Sequence, residues 1–214
     1  MTEAEWLACT EPQTMLEFLR GKASDRKLRL FAVACCRRAW GSLKDERCRA
    51  AVEVAESYAD GLTTEAALGS ARAAASGVAW GEEGRNAAVF AASEDASVAA
   101  GVTLYYLACD AANKDSRHVT ADAARAAARM LLAPLLRDIF NPFPPAFVCP
   151  AWDGGLIQRF ASALYDQRAF DQLPLLADML EEAGTTDAQL LAHLRGLGPH
   201  ARGCWALDLV LTRE

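Results

Sequence analysis

Apolar residues recur along most of this chain at three- and four-residue intervals, the period of one helix face. Leu28, Phe31, Ala32, Cys35, Cys36 and Ala39 form such a face, and Leu30, Val33 and Ala34 widen it. A helix buried on most sides is predicted there, with Ser24 as its N-cap. From Lys44 to Asp60 the stripe is Cys48, Ala51, Val52, Ala55, Tyr58 and Ala59, with Arg49 and Glu53 on the other side and Gly61 placed to stop the helix. Two short helices are expected before these. Thr2-Glu3-Ala4-Glu5 and Thr10-Glu11-Pro12-Gln13 both read as capping boxes.

Residues 64 to 93 are rich in Ala with Gly69, Gly77, Gly81 and Gly84, a small-residue surface that predicts close helix packing and a break near Trp80 to Gly84. Val98, Val102, Tyr105, Cys109 and Ala112 mark the next helix. Another begins at Thr120 with Ala124, Ala127, Leu131 and Leu135, and Pro134 is expected to kink or end it. Asn141-Pro142-Phe143-Pro144-Pro145 cannot continue a helix. Helical faces resume from Gly154 to Gln167, Asp171 to Ala183 and Thr186 to Arg195, with a third capping box at Thr186-Asp187-Ala188-Gln189. The last segment is open to two readings: Pro199 suits a helix start, whereas Trp205, Leu207, Leu209 and Leu211 alternate like a strand. Helix is preferred.

Composition agrees with this pattern. The 214 residues include 45 Ala and 27 Leu against 14 Gly and 8 Pro, so the fold class expected is all-α, an irregular multi-helix bundle with a proline-rich connector near residues 141–150. The predicted organisation is a main bundle over 1–140, a connector over 141–153, and a C-terminal helical subdomain over 154–214 packed on the first. No repeat of the solenoid type emerges. Short apolar runs and the lack of a signal-like opening predict a cytoplasmic protein without a membrane span. Seven cysteines without a C-x-x-C pair suit buried, reduced thiols.

The segments around Cys35-Cys36-Arg37-Arg38-Ala39-Trp40 and Gly198-Pro199-His200-Ala201-Arg202-Gly203-Cys204-Trp205, together with AVEVAESYADGL and RDIFNPF, resemble a large paralogous family of planctomycete proteins. Its members occur alone or as modules of longer chains. The resemblance spans nearly the whole chain and implies a bacterial source; it implies no particular activity or cofactor.

Three groups of residues are candidates for chemistry. His193, His200, Cys204 and Asp208 are all of zinc-ligand type, and a helix starting at Pro199 would set the last three at i, i+4 and i+8 on one face. The same residues could serve a Cys-His hydrolase, with Cys204 as nucleophile. The plainer reading makes Cys204 core, His200 a bonding group near a helix start, and Asp208 a surface charge. His118 and the carboxylates Asp138, Asp166, Asp171, Glu181 and Glu182 are read as solvated and given no role.

The second group is basic. Lys22 to Arg49 carries net +6 in a chain of net −6, and Arg26, Lys27, Arg37, Arg38 and Trp40 could meet a phosphate backbone or an acidic partner. The acidity of the whole chain disfavours nucleic acid, so pairing within the protein is preferred. The third is aromatic: Phe143, Phe147 and Trp152 near the prolines could bind another chain or tie two helical parts together. The leading expectation is a non-enzymatic helical interaction or scaffold module whose partner is an unknown protein or a second copy of the chain, with no cofactor; zinc is the alternative.

Overall fold

A computed structural model of the protein describes residues 1–79, 84–114, 121–145 and 155–213; within the last half of one helix and the first part of the next, the backbone alone is described. Among the described residues the fold is all-α, as its apolar spacing predicts, with twelve α-helices, one 3₁₀ turn and no strand. No helix among them is long and apolar enough to cross a membrane. The chain divides into two compact units, Met1–Leu136 and Arg137–Glu214.

In the first unit, helices α1 (Glu3–Ala8) and α2 (Pro12–Leu19) precede α3 (Asp25–Arg38), α4 (Glu46–Ala59), α5 (Glu65–Ser76), α6 (Arg85–Ala91) and α7 (Ala96–Lys114). α3 lies at the centre, packed against α4, α6 and α7. Its run from Arg29 to Cys36 is continuously buried, as a helix covered on several sides requires. Arg29 donates to the backbone carbonyls of Ser93 and Glu94 and so pins the turn between α6 and α7. Cys35, Cys36 and Cys48 are buried, and burial pushes the Cys36 thiol up to about 12.

Local chemistry sets most helix starts. Ser24 caps α3 through the Lys27 amide, and Thr2 and Glu5 complete the first capping box. The second box does not form. Pro12 occupies the first helical position, which its locked φ favours, so Glu11 rather than Thr10 becomes the N-cap. The third is displaced by one residue: Asp187, not Thr186, caps its helix, accepting from the Leu190 amide at 2.8 Å. The inward face of α7 also differs from the expected one. Ala96, Ala99, Ala100, Thr103, Leu104 and Leu107 are buried, whereas Tyr105 is exposed. Small alanines let α7 approach α3 and α6 closely, and that packing outweighs the larger apolar residues on the neighbouring face.

α8 (Ala121–Ile139) runs through Pro134 instead of ending there. A proline inside a helix costs about 3 kcal/mol, and the burial of Leu132, Ala133, Leu135, Leu136 and Ile139 around it offsets that cost. The boundary between the units falls within this helix, so its last turn, with Asp138, belongs to the second.

That unit continues with α9 (Leu156–Gln167), a 3₁₀ turn (Phe170–Gln172), α10 (Leu173–Glu182), α11 (Ala188–Arg195) and α12 (Trp205–Val210). α10 packs on α9 and α11, and α12 packs on α9 and α11. Their shared core includes Ile157, Leu164, Tyr165, Leu173, Leu176, Leu180, Leu190, Leu194, Trp205 and Leu207. Gly184, at φ +91°, closes α10 while the Thr185 amide donates back to Leu180, a reversal that a side chain would strain. Leu176→Ala is expected to destabilise this unit by about 2–5 kcal/mol, the cost of a cavity at a fully buried position; urea unfolding of the variant measures it.

Candidate metal centre

α11 ends at Arg195, leaving His193 in its last turn. The chain does not re-enter a helix at Pro199; α12 begins only at Trp205, with Cys204 as its N-cap residue. The expected i, i+4, i+8 helical face is therefore replaced by a tight loop. Gly198, at φ +74°, folds that loop back so closely that a Cβ on it would stand 2.6 Å from the backbone nitrogen of His200 and 2.9 Å from its ring carbon Cδ2. The Cys204 amide donates to the Ala201 carbonyl at 3.0 Å, which closes the turn before α12.

The loop and α11 converge on Asp138, whose side chain is only 3% exposed. His200 Nδ1 lies 2.8 Å from Asp138 Oδ1, and His193 Nε2 lies 3.2 Å from the same oxygen. The Ala201 amide donates to Asp138 Oδ2 at 2.9 Å. Cys204 Sγ is 3.3 Å from His193 Nε2 and 4.0 Å from His200 Nδ1. One ligand atom from each of Asp138, His193, His200 and Cys204 falls within 4.8 Å of all the others. Two further contacts orient the rings. His200 Nε2 is 3.1 Å from the Gly196 carbonyl, and the Trp205 indole donates to His193 Nδ1 at 3.2 Å.

Burial acts against charge here and the neighbours act for it. Burial works to raise the Asp138 pKa, but hydrogen bonds from His193 and His200 hold it below the usual carboxylate range. His200 feels burial as a lowering, which its hydrogen bond to Asp138 and that carboxylate's charge more than offset, so its pKa is raised. Cys204 is pushed well up, first by burial and then by the charge of Asp138.

Three of the four residues singled out from the sequence meet in this cluster. Asp208 does not: it is buried in the first turns of α12, neither a ligand candidate nor a surface charge, because α12 starts later than Pro199. Asp138 takes its place, although the sequence suggested a solvated carboxylate beside Arg137. The signal available for it was a single aspartate among Leu135, Leu136, Ile139 and Phe140. A Cys-His hydrolase needs its carboxylate on the imidazole nitrogen remote from the thiol. In this cluster Asp138 and Cys204 face the same nitrogen of His193, and Cys204 is fully buried.

The basic segment is largely engaged within the protein. Arg26 binds Asp60 at 3.0 Å and Arg37 binds Glu56 at 2.9 Å, with the Arg37 guanidinium 4.3 Å from the ring centre of half-buried Trp40. Lys27 is half-buried in the first turn of α3, and Arg38 is exposed in its last. The Phe143 amide donates to the Asn141 side chain at 3.0 Å. Phe147, Trp152 and His118 lie outside the described residues. Compared with family models, curated proteins and solved structures, the chain matches none.

Two outcomes are expected from these contacts. Arg37→Ala removes the cation facing the buried Glu56 carboxylate and should lower stability by about 1–3 kcal/mol, read from denaturant unfolding. In chelator-treated protein, the contribution of His200 is complete below its ordinary pKa of about 6.5 and is lost as pH rises through its raised folded value. That of Asp138 is present above its ordinary value near 3.9 and is lost as pH falls through its depressed one. Thermal stability should therefore fall on the alkaline side, and Asp138→Asn should flatten that dependence.

Proposed function

We propose that this chain is a metal-binding helical protein whose second unit holds one divalent transition ion, zinc by its donor set, on Asp138, His193, His200 and Cys204. The observation that carries the reading is the convergence of four ligand atoms within 4.8 Å of one another. Ligands 2.0–2.3 Å from a tetrahedral zinc stand about 3.3–3.8 Å apart, close to the 2.8–4.0 Å that separates the neighbouring donor atoms of this cluster. Charge supports the same reading. One carboxylate, one thiolate and two neutral imidazoles carry two negative charges, which a divalent cation cancels; a buried site favours that neutrality. A cation there also supplies what the Cys204 thiol lacks, since burial and Asp138 oppose its ionisation and a bound metal reverses that balance.

Four side chains fill a tetrahedral shell, the ligand count of structural rather than catalytic zinc sites. The ion would join the end of α8, the last turn of α11, the loop after it and the start of α12. A helical interaction or scaffold module is the second reading, and it is compatible with the first: Leu197 stands fully exposed on the loop that the ion would fix. Its partner would be another protein or a second copy. Reduced, buried cysteines and a thiolate ligand suit a reducing, cytoplasmic setting.

Protein purified without chelator is expected to carry about one zinc per chain, measured by mass spectrometry of the metal. Stripping it should lower Tm and added zinc should restore it, since an ion at 1,000 times its Kd contributes about 4 kcal/mol. Cys204→Ser and His200→Ala should lose most of both effects. Wild-type protein that contains no metal and takes up no zinc in titration defeats the reading.

A further inference from the structure

Resting on that metal-binding reading, we infer that Trp205 sets how tightly the site holds its ion, by keeping His193 in the tautomer that cannot ligate through the nitrogen facing the cluster. An indole N–H only donates. The Trp205 N–H points at His193 Nδ1 from 3.2 Å, with the ring centres 4.9 Å apart. A ring that accepts at Nδ1 carries its proton on Nε2, and Nε2 is the nitrogen 3.2 Å from Asp138 and 3.3 Å from Cys204. An imidazole that ligates through Nε2 has the opposite arrangement: its proton sits on Nδ1 and needs an acceptor there. Trp205 offers a second donor instead.

His200 shows the contrast. Without an ion its Nδ1 shares a proton with Asp138 at 2.8 Å, and its Nε2 faces the Gly196 carbonyl at 3.1 Å, an acceptor for the proton the ring keeps when Nδ1 ligates. This is the outer contact that orients a ligating histidine. One imidazole meets an acceptor at its outer nitrogen and the other meets a donor there. Taking up the ion requires the His193 proton to move from Nε2 to Nδ1 and the indole to turn aside. Trp205 is mostly buried in the core of the second unit and directly follows Cys204, so the displacement falls on the turn that carries a ligand.

The test compares wild type with Trp205→Phe, which keeps an aromatic ring in the core and removes the donor. Both are stripped and titrated with cobalt(II), followed by the thiolate-to-cobalt absorption, and then with zinc in competition. Trp205→Phe is expected to bind both ions about 3- to 10-fold more tightly, the worth of one hydrogen bond no longer broken on loading. Equal or weaker binding by the variant overturns the inference and leaves the metal reading standing. No binding by either protein defeats both. If Trp205→Phe does not fold, nitrogen-15 NMR of stripped wild type decides: His193 protonated at Nε2, with the Trp205 indole N–H resonance shifting when zinc is added, supports the inference, and His193 protonated at Nδ1 overturns it.

Discussion

A carboxylate removed from water must be compensated, and the architecture of the second unit answers that requirement at Asp138. Burying an uncompensated carboxylate costs several kcal/mol. Asp138 is surrounded by two imidazole nitrogens and a backbone amide, contributed by α11 and by the loop between α11 and α12. Because those groups come from distant parts of the chain, satisfying one charge fixes the end of α8, the orientation of both rings and the path of the loop. Gly198 makes the path sterically open, since any side chain there would meet His200. Cys204 then arrives beside the rings as the residue that begins α12.

The two units reach stability by different means. In the first, alanine faces on α3, α6 and α7 permit close approach, and buried arginines tie loop carbonyls: Arg29 at the α6–α7 turn, Arg85 at the carbonyls of Ser76 and Val78. A guanidinium suits that task because its several donors can satisfy more than one carbonyl at once. In the second unit, leucines of α9 to α12 fill the interior, and Asp138, His193, His200 and Cys204 gather in one cluster. A concentrated polar network of this kind is fully bonded or costly. Its members make it suitable for an ion, and the same bonds decide how readily each ring can present a lone pair.

Helix periodicity was the most readable property of the chain, and it located α3, α4 and α9 to α11 well. Caps were readable where a serine or threonine had no nearby competitor, as at Ser24 and Thr2. They shifted where a neighbour was better placed, as with Pro12 and Asp187. The inward face of α7 was misjudged because periodicity weights large apolar residues, while close helix packing rewards small ones. For the cluster, His193, His200 and Cys204 share one short stretch of sequence and were visible as a group. Asp138 was hidden among apolar neighbours in another helix, and Asp208 looked better placed only because a helix was expected from Pro199.

Sequence alone determined the residue types available to the cluster, the all-α class and most helix positions, since propensity, spacing and capping act between residues close along the chain. Tertiary structure decided which carboxylate joins the histidines and the cysteine, and which nitrogen of each ring faces inward. Those choices depend on burial and on hydrogen bonds between segments far apart in sequence, where no local spacing encodes distance.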